Sequence, residues 1–140
     1  MYKRQILHIV NSKENKSRFV LVPDFLISAL QEYDQRTGIT SGYMLRQLRD
    51  SECPLTSNTV KMIFQDLKIS TGIDRLHAHL LRHTFAISYL IGGGNLEFLR
   101  VFLGHYDYAA TKTYVAMAAQ MKLLGAPVYQ LDPIFFQRGY

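Results

Sequence analysis

The stretch HLLRHTFAISYLIGGGNLEFLRVFLGHYDYAATKTY, residues 79–114, decides how the chain is read. Apolar residues from about Ala78 to Ile91 form one long helical run, and Gly92-Gly-Gly94 breaks it. Asn95 is placed to cap a second helix, Leu96 to Leu103, which Gly104 ends. Asp107 is placed to cap a third, running to about Leu124, where Gly125 and Pro127 close it. A Tyr- and Phe-containing tail follows. Three helices joined by glycine turns therefore make up the second half.

Upstream, Ile6-Leu-His-Ile-Val10 and Phe19-Val-Leu-Val22 are short apolar runs. The polar segment Asn11-Ser-Lys-Glu-Asn-Lys-Ser-Arg18 separates them, so the pair predicts a β-hairpin with a basic loop. Pro23 ends the second strand because it has no N–H to donate. Phe25, Leu26, Ala29, Leu30 and Tyr33 recur at helical spacing up to Gly38. Residues 39–55 show no period and predict a loop with at most one short helix. Thr56 or Ser57 caps a helix carrying Val60, Ile63, Phe64 and Leu67, with Gly72 as its stop. Met44, Met62, Met117 and Met121 are expected as core fillers. The expected architecture is mostly α (α+β): a helical bundle with one β-hairpin at its N-terminal edge.

Composition bounds the function. Of 140 residues, 48% are hydrophobic and 19% charged, which is enough apolar material for a core. A formal charge of +5 and a pI near 9.4 suit a polyanionic partner without requiring one. The single cysteine, Cys53, excludes a disulfide framework and a Cys-rich zinc site. No apolar run approaches the roughly 18–20 residues of a membrane span. The start is too short in apolar residues for a signal peptide. The expected setting is the cytoplasm.

The densest polar cluster is Leu76-His-Ala-His-Leu-Leu-Arg-His-Thr-Phe-Ala86. His79 and Arg82 are three apart and share a helical face. With apolar neighbours they suit an oxyanion, since the guanidinium fork matches phosphate; a helix start with solvated polar residues is the plainer alternative. His77-x-His79 invites a metal, but Leu80, Leu81 and Arg82 stand where a carboxylate ligand would be needed, so no metal is expected. His105 follows Gly104 at a tight turn, where its side chain can enter a cleft. Tyr114, nine residues on, would by spacing alone be a core residue.

The order of these elements resembles the second motif box of the tyrosine recombinase (phage integrase) family: His-x-x-Arg, a glycine-broken helix pair, Leu-Gly-His, then a tyrosine nine residues later. The segment from Ile9 to Arg18 is similar to that family's β-hairpin, and Pro54 to Val60 with Gly72-Ile73 is similar to its linking region. The resemblance covers residues 6 to about 120. It implies a catalytic-domain fold that cuts DNA with a tyrosine hydroxyl and keeps the bond energy as a 3′-phosphotyrosine. By that resemblance Tyr114 is the nucleophile, and Arg82 binds the non-bridging phosphate oxygens. His79 assists proton transfer and holds the phosphate. His105 donates to the phosphate, and Lys13 protonates the leaving 5′ oxygen. Lys16 and Arg18 are the accompanying DNA-binding positions. A free tyrosine hydroxyl titrates near about 10, so the nucleophile needs activation. The partners implied are double-stranded DNA and other recombinase protomers, with no cofactor or metal. His83 and Thr84 are expected to be structural, and His8 and His77 have no assigned role. In this family the helix bearing the tyrosine can move or act in trans, so Tyr114 is expected to be able to lie apart from the cleft.

The chain departs from the family at its start. The family's first box, which holds another catalytic arginine, would precede the hairpin, and Arg46 and Arg49 lie downstream in the wrong order. Residues 6–140 are therefore expected to be a partial catalytic domain. The alternative is a catalytically inactive DNA-binding or protein-docking fragment. Residues 1–5 are expected to be non-native or unstructured: Tyr2-Lys-Arg-Gln5 is what TAT-AAG-AGA-CAG encodes, which resembles a transposon mosaic end used in sequencing libraries.

Overall fold

The computed structural model describes residues 6–10, 17–47 and 52–136. The predicted start at residues 1–5, with Lys13 and Lys16, lies outside them. Strands β1 (Ile6–Ile9) and β2 (Arg18–Leu21) pair antiparallel, with Ile6 opposite Leu21 and Ile9 opposite Arg18. Among the described residues five helices follow: α1 (Asp24–Thr37), α2 (Ser57–Thr71), α3 (Ala78–Ile91), α4 (Leu96–Leu103) and α5 (Tyr108–Leu123). A single 3₁₀ turn, Pro133–Phe136, ends the described chain.

The predicted punctuation matches the structure. The Thr56 hydroxyl accepts from the Thr59 N–H at the start of α2, and Asn95 accepts from the Phe98 N–H at the start of α4. The Asp107 carboxylate accepts from the N–H groups of Ala109 and Ala110 at the start of α5. Strand β2 starts one residue earlier than the apolar run suggests and excludes Val22, which is buried. Residues 39–47 form no helix. Instead Arg46 bridges to Pro54, and its guanidinium donates to the carbonyls of Ser41 and Tyr43.

The chain divides into two compact units. One comprises the residues up to Asp24 together with those from Arg82 onward; the other is Phe25–Leu81. The first unit holds a core of Ala86, Tyr89, Leu99, Leu103 and Tyr114. Phe85, Phe98 and Phe102 line its margin, and Phe135 and Phe136 of the tail close it. Phe85 lies 5.0 Å from Phe102 and 5.2 Å from Phe135, centre to centre, while Phe136 stacks on Tyr89 at 5.3 Å. Such offset and edge-to-face pairs add to the area they bury. Gly94 is required by this packing: a β-carbon there would stand 2.2 Å from the Tyr89 ring. Beside the core, β1, β2 and α4 enclose an apolar cleft of about 350 Å³ between Phe19, Leu21, Phe98 and Phe102. In the second unit, neither α1 nor α2 carries a fully buried residue.

The methionines depart from expectation. Met62 is 69% exposed, Met117 45% and Met44 43%, while Met121 is half-buried. On α5 the buried stripe is Thr111, Tyr114 and Ala118, and Met117 falls one residue off it. Met62 lies off the half-buried stripe of Val60, Phe64 and Lys68 on α2, and Met44 lies in the irregular segment before Pro54.

Candidate active site

The C-terminal end of α4 organises the site. Gly104 takes the left-handed conformation, φ +72°, and its N–H and that of His105 return to the carbonyls of Val101 and Arg100. Asp107 then starts α5, so only His105 and Tyr106 lie between one helix's terminating glycine and the next helix's capping carboxylate. His105 is thereby fixed in a two-residue turn.

Arg82, on α3, reaches this turn. Its guanidinium donates to the Leu103 carbonyl at 2.5 Å, one of the carbonyls that a helix end leaves without a helical partner. Arg18, on β2, approaches from the hairpin. A β-carbon on Gly104 would lie 2.6 Å from its Nη1 and 2.8 Å from its Cζ. The Arg18 Nε is buried and has no hydrogen-bond partner among the described residues. Two guanidinium groups thus border the Leu103–Gly104 peptide.

The His105 ring lies nearly parallel to that of Tyr114, 7° apart in tilt and 6.1 Å between centres. The His83 ring stands 5.3 Å from that of Tyr114, tilted by 56°. Tyr114 is only 3% exposed. In this structure it stacks on His105 and belongs to the core at the same time. His83, expected to be merely structural, is a neighbour of that tyrosine. His79 is exposed on the first turn of α3, three residues before Arg82 in the chain and in the other unit. Among the described residues, no three His, Cys, Asp or Glu side chains are grouped to hold a metal ion.

Sequence reasoning missed a second layer. The Arg100 guanidinium binds both oxygens of Glu97 and donates through Nη1 to the carbonyls of His105 (3.1 Å) and Tyr106 (3.3 Å). The Tyr108 hydroxyl donates to the same Glu97 carboxylate, and the Arg100 Cζ lies 5.2 Å from the centre of the Tyr108 ring. The i,i+3 spacing of Glu97 and Arg100 was the available signal. Thr111, fully buried, lies 2.8 Å from the His105 Nδ1. Its spacing of three from Tyr114 places both on one face of α5.

These contacts set the charges. The Arg100 guanidinium, followed by the Tyr108 hydroxyl, holds the Glu97 carboxyl at about 2, against an ordinary 4.5. The same carboxylate raises the Tyr108 hydroxyl and makes the Arg100 guanidinium still harder to deprotonate. Because the folded value lies below the unfolded one, the support Glu97 gives is complete above 4.5 and is lost as pH falls through about 2. Wild type should therefore lose its thermal advantage over Glu97→Gln across that window. Melting curves that stay parallel from pH 5 to about 2 would contradict this.

Gly104 carries two constraints at once. Alanine there must hold a left-handed backbone, at a cost of about 1–2 kcal/mol, and must also displace the Arg18 guanidinium. Gly104→Ala should lower the urea midpoint accordingly; a midpoint equal to wild type would refute the close approach.

Comparison with known proteins places this geometry. The sequence profile of the Phage integrase family matches residues 1–121. The tyrosine recombinase XerD of Caulobacter vibrioides is 32% identical over 120 residues, covering 80% of this chain and 39% of that protein. The tyrosine recombinase XerC of Staphylococcus epidermidis is 28% identical over 116 residues, covering 79% of this chain and 38% of that protein. The crystal structure of XerA recombinase superposes with a TM-score of 0.71 at 28% identity, covering 91% of this chain and 48% of that one. The chain therefore spans well under half the length of the curated relatives it matches.

Proposed function

The chain belongs to the phage integrase family, and from that premise we propose that it carries the nucleophile-bearing part of a site-specific DNA recombinase site working through a 3′-phosphotyrosine. The observation that supports this reading most directly is the meeting of three residues far apart in sequence. Arg82 bonds to the turn that presents His105, and the His105 ring lies along Tyr114.

In this reading the Tyr114 oxygen attacks the scissile phosphorus. A P–O bond forms to the tyrosine while the bond to the 5′ oxygen breaks. Arg82 binds the non-bridging oxygens and offsets the charge of the pentacoordinate state. His105 donates to the same phosphate. His79 assists removal of the Tyr114 proton, and Lys13 protonates the departing 5′ oxygen. Lys16 and Arg18 contact the DNA backbone beside it, and double-stranded DNA and further protomers are the partners. Reversal by another strand's 5′-hydroxyl completes the exchange without an outside energy source.

The test is incubation with a nicked DNA suicide substrate. A covalent protein–DNA adduct is expected with wild type, insensitive to chelator and absent with Tyr114→Phe. An adduct that persists in Tyr114→Phe would overturn the assignment. One observation favours the second reading, a binding or docking element without catalysis: Tyr114 is a core residue. That reading gives salt-sensitive DNA binding and no adduct from either protein.

A further inference from the structure

Among the described residues, the hydroxyl of Thr111 has one hydrogen-bonding partner. Thr111 is wholly enclosed, and its Oγ1 lies 2.8 Å from the His105 Nδ1. The usual local acceptor for a threonine within a helix is a carbonyl three or four residues back, which Thr113 uses by donating to Ala110. Thr111 makes no such bond among the described residues.

A hydroxyl carries one proton and two lone pairs, and a neutral imidazole carries one N–H and one bare nitrogen. Two arrangements satisfy the distance. If the ring donates from Nδ1, the Thr111 proton is left enclosed with no acceptor among the described residues, a state that buried polar groups almost never adopt. If Thr111 donates to Nδ1, its proton is satisfied. We infer that Thr111 donates to the Nδ1 of His105 and so holds the neutral ring in the tautomer with its proton on Nε2.

Thr111 is thus a positioning residue. The inference deepens the reading of His105 as a phosphate donor and rests on that reading only for its functional meaning. A phosphate oxygen accepts a hydrogen bond and gives none, so an Nε2–H serves it without the ring having to be charged. The second nitrogen's partner fixes the tautomer, as outer partners do for metal-binding histidines. Thr111 and Tyr114 also share one face of α5. The helix that carries the proposed nucleophile therefore carries the group that sets its neighbour's proton.

The experiment uses the whole chain labelled with ¹⁵N-histidine, at a pH where the ring is neutral. Long-range ¹H–¹⁵N correlation identifies the protonated nitrogen of His105. Wild type and Thr111→Ser should both show Nε2–H as the dominant form. Thr111→Val keeps the shape but has no hydroxyl, and its Nε2–H to Nδ1–H ratio should fall roughly fivefold, the worth of one ordinary hydrogen bond. An Nδ1–H ring in wild type would overturn the inference, as would an unchanged ratio in a folded Thr111→Val. If Thr111→Val does not fold, the wild-type and Thr111→Ser spectra decide alone. Titration with inorganic phosphate separates the two claims. A shift of the Nε2 resonance supports both. An Nε2–H ring indifferent to phosphate leaves the tautomer assignment standing and removes the phosphate role.

Discussion

Arg82→Ala should slow formation of the covalent adduct on a nicked DNA substrate by about 10²–10³, the usual loss when one preorganised charge-stabilising donor is removed. A second effect accompanies it, because Arg82 also holds the Leu103 carbonyl at the end of α4. A hydrogen bond from a charged donor is commonly worth about 1.5–3 kcal/mol, and the partial exposure of this one puts it near the lower end. The two effects separate with Arg82→Lys, which keeps the charge without the planar fork. If Arg82 served only α4, adduct formation would recover whenever stability did, for example on cooling. Catalytic loss should instead persist in variants that remain folded. Adduct formation within tenfold of wild type for a folded Arg82→Ala would overturn the role.

Leu99→Ala should have the largest effect on stability. Leu99 is fully buried in the core formed by Ala86, Tyr89, Leu103 and Tyr114. Removing such a side chain costs about 2–5 kcal/mol, through lost transfer energy and the cavity left behind. Domains hold only about 5–15 kcal/mol in total, so much of the population should unfold in mild denaturant. Leu123→Ala is the control: at 88% exposure it should shift stability by no more than about 0.5 kcal/mol. Equal urea midpoints for the two variants would refute the assigned core.

The helix boundaries were legible because their causes are local. Thr56, Asn95 and Asp107 cap with their own side chains, and Gly72 and Gly104 supply left-handed backbone within a residue of each helix end. The apolar run Ala78 to Ile91 reads as a helix on period alone. Burial was less legible because it depends on what arrives from elsewhere. Nothing near Phe135 or Phe136 says that they close a core built from α3 and α4. Met62 is exposed on a helix, α2, that carries no fully buried residue, which no spacing rule reports. In the site, Arg82, His105 and Tyr114 could be named from their order. Thr111 and Arg100 could not, because their importance lies in what they reach across a turn: Thr111 the His105 ring, Arg100 the carbonyls of His105 and Tyr106.

The enclosure of Tyr114 has a kinetic meaning. In the proposed reaction the Tyr114 hydroxyl has to reach a phosphate from a residue that is only 3% exposed in this structure. It then reacts only from the fraction of molecules in which α5 or the ring has swung free. The cleavage rate expected of the proposed reaction would then be the intrinsic chemical rate multiplied by that fraction. Substitutions that loosen the packing of α5 would raise the fraction even while they lower the melting temperature. Stability and speed would then move in opposite directions along this one helix, and DNA that favours the open form would supply the difference.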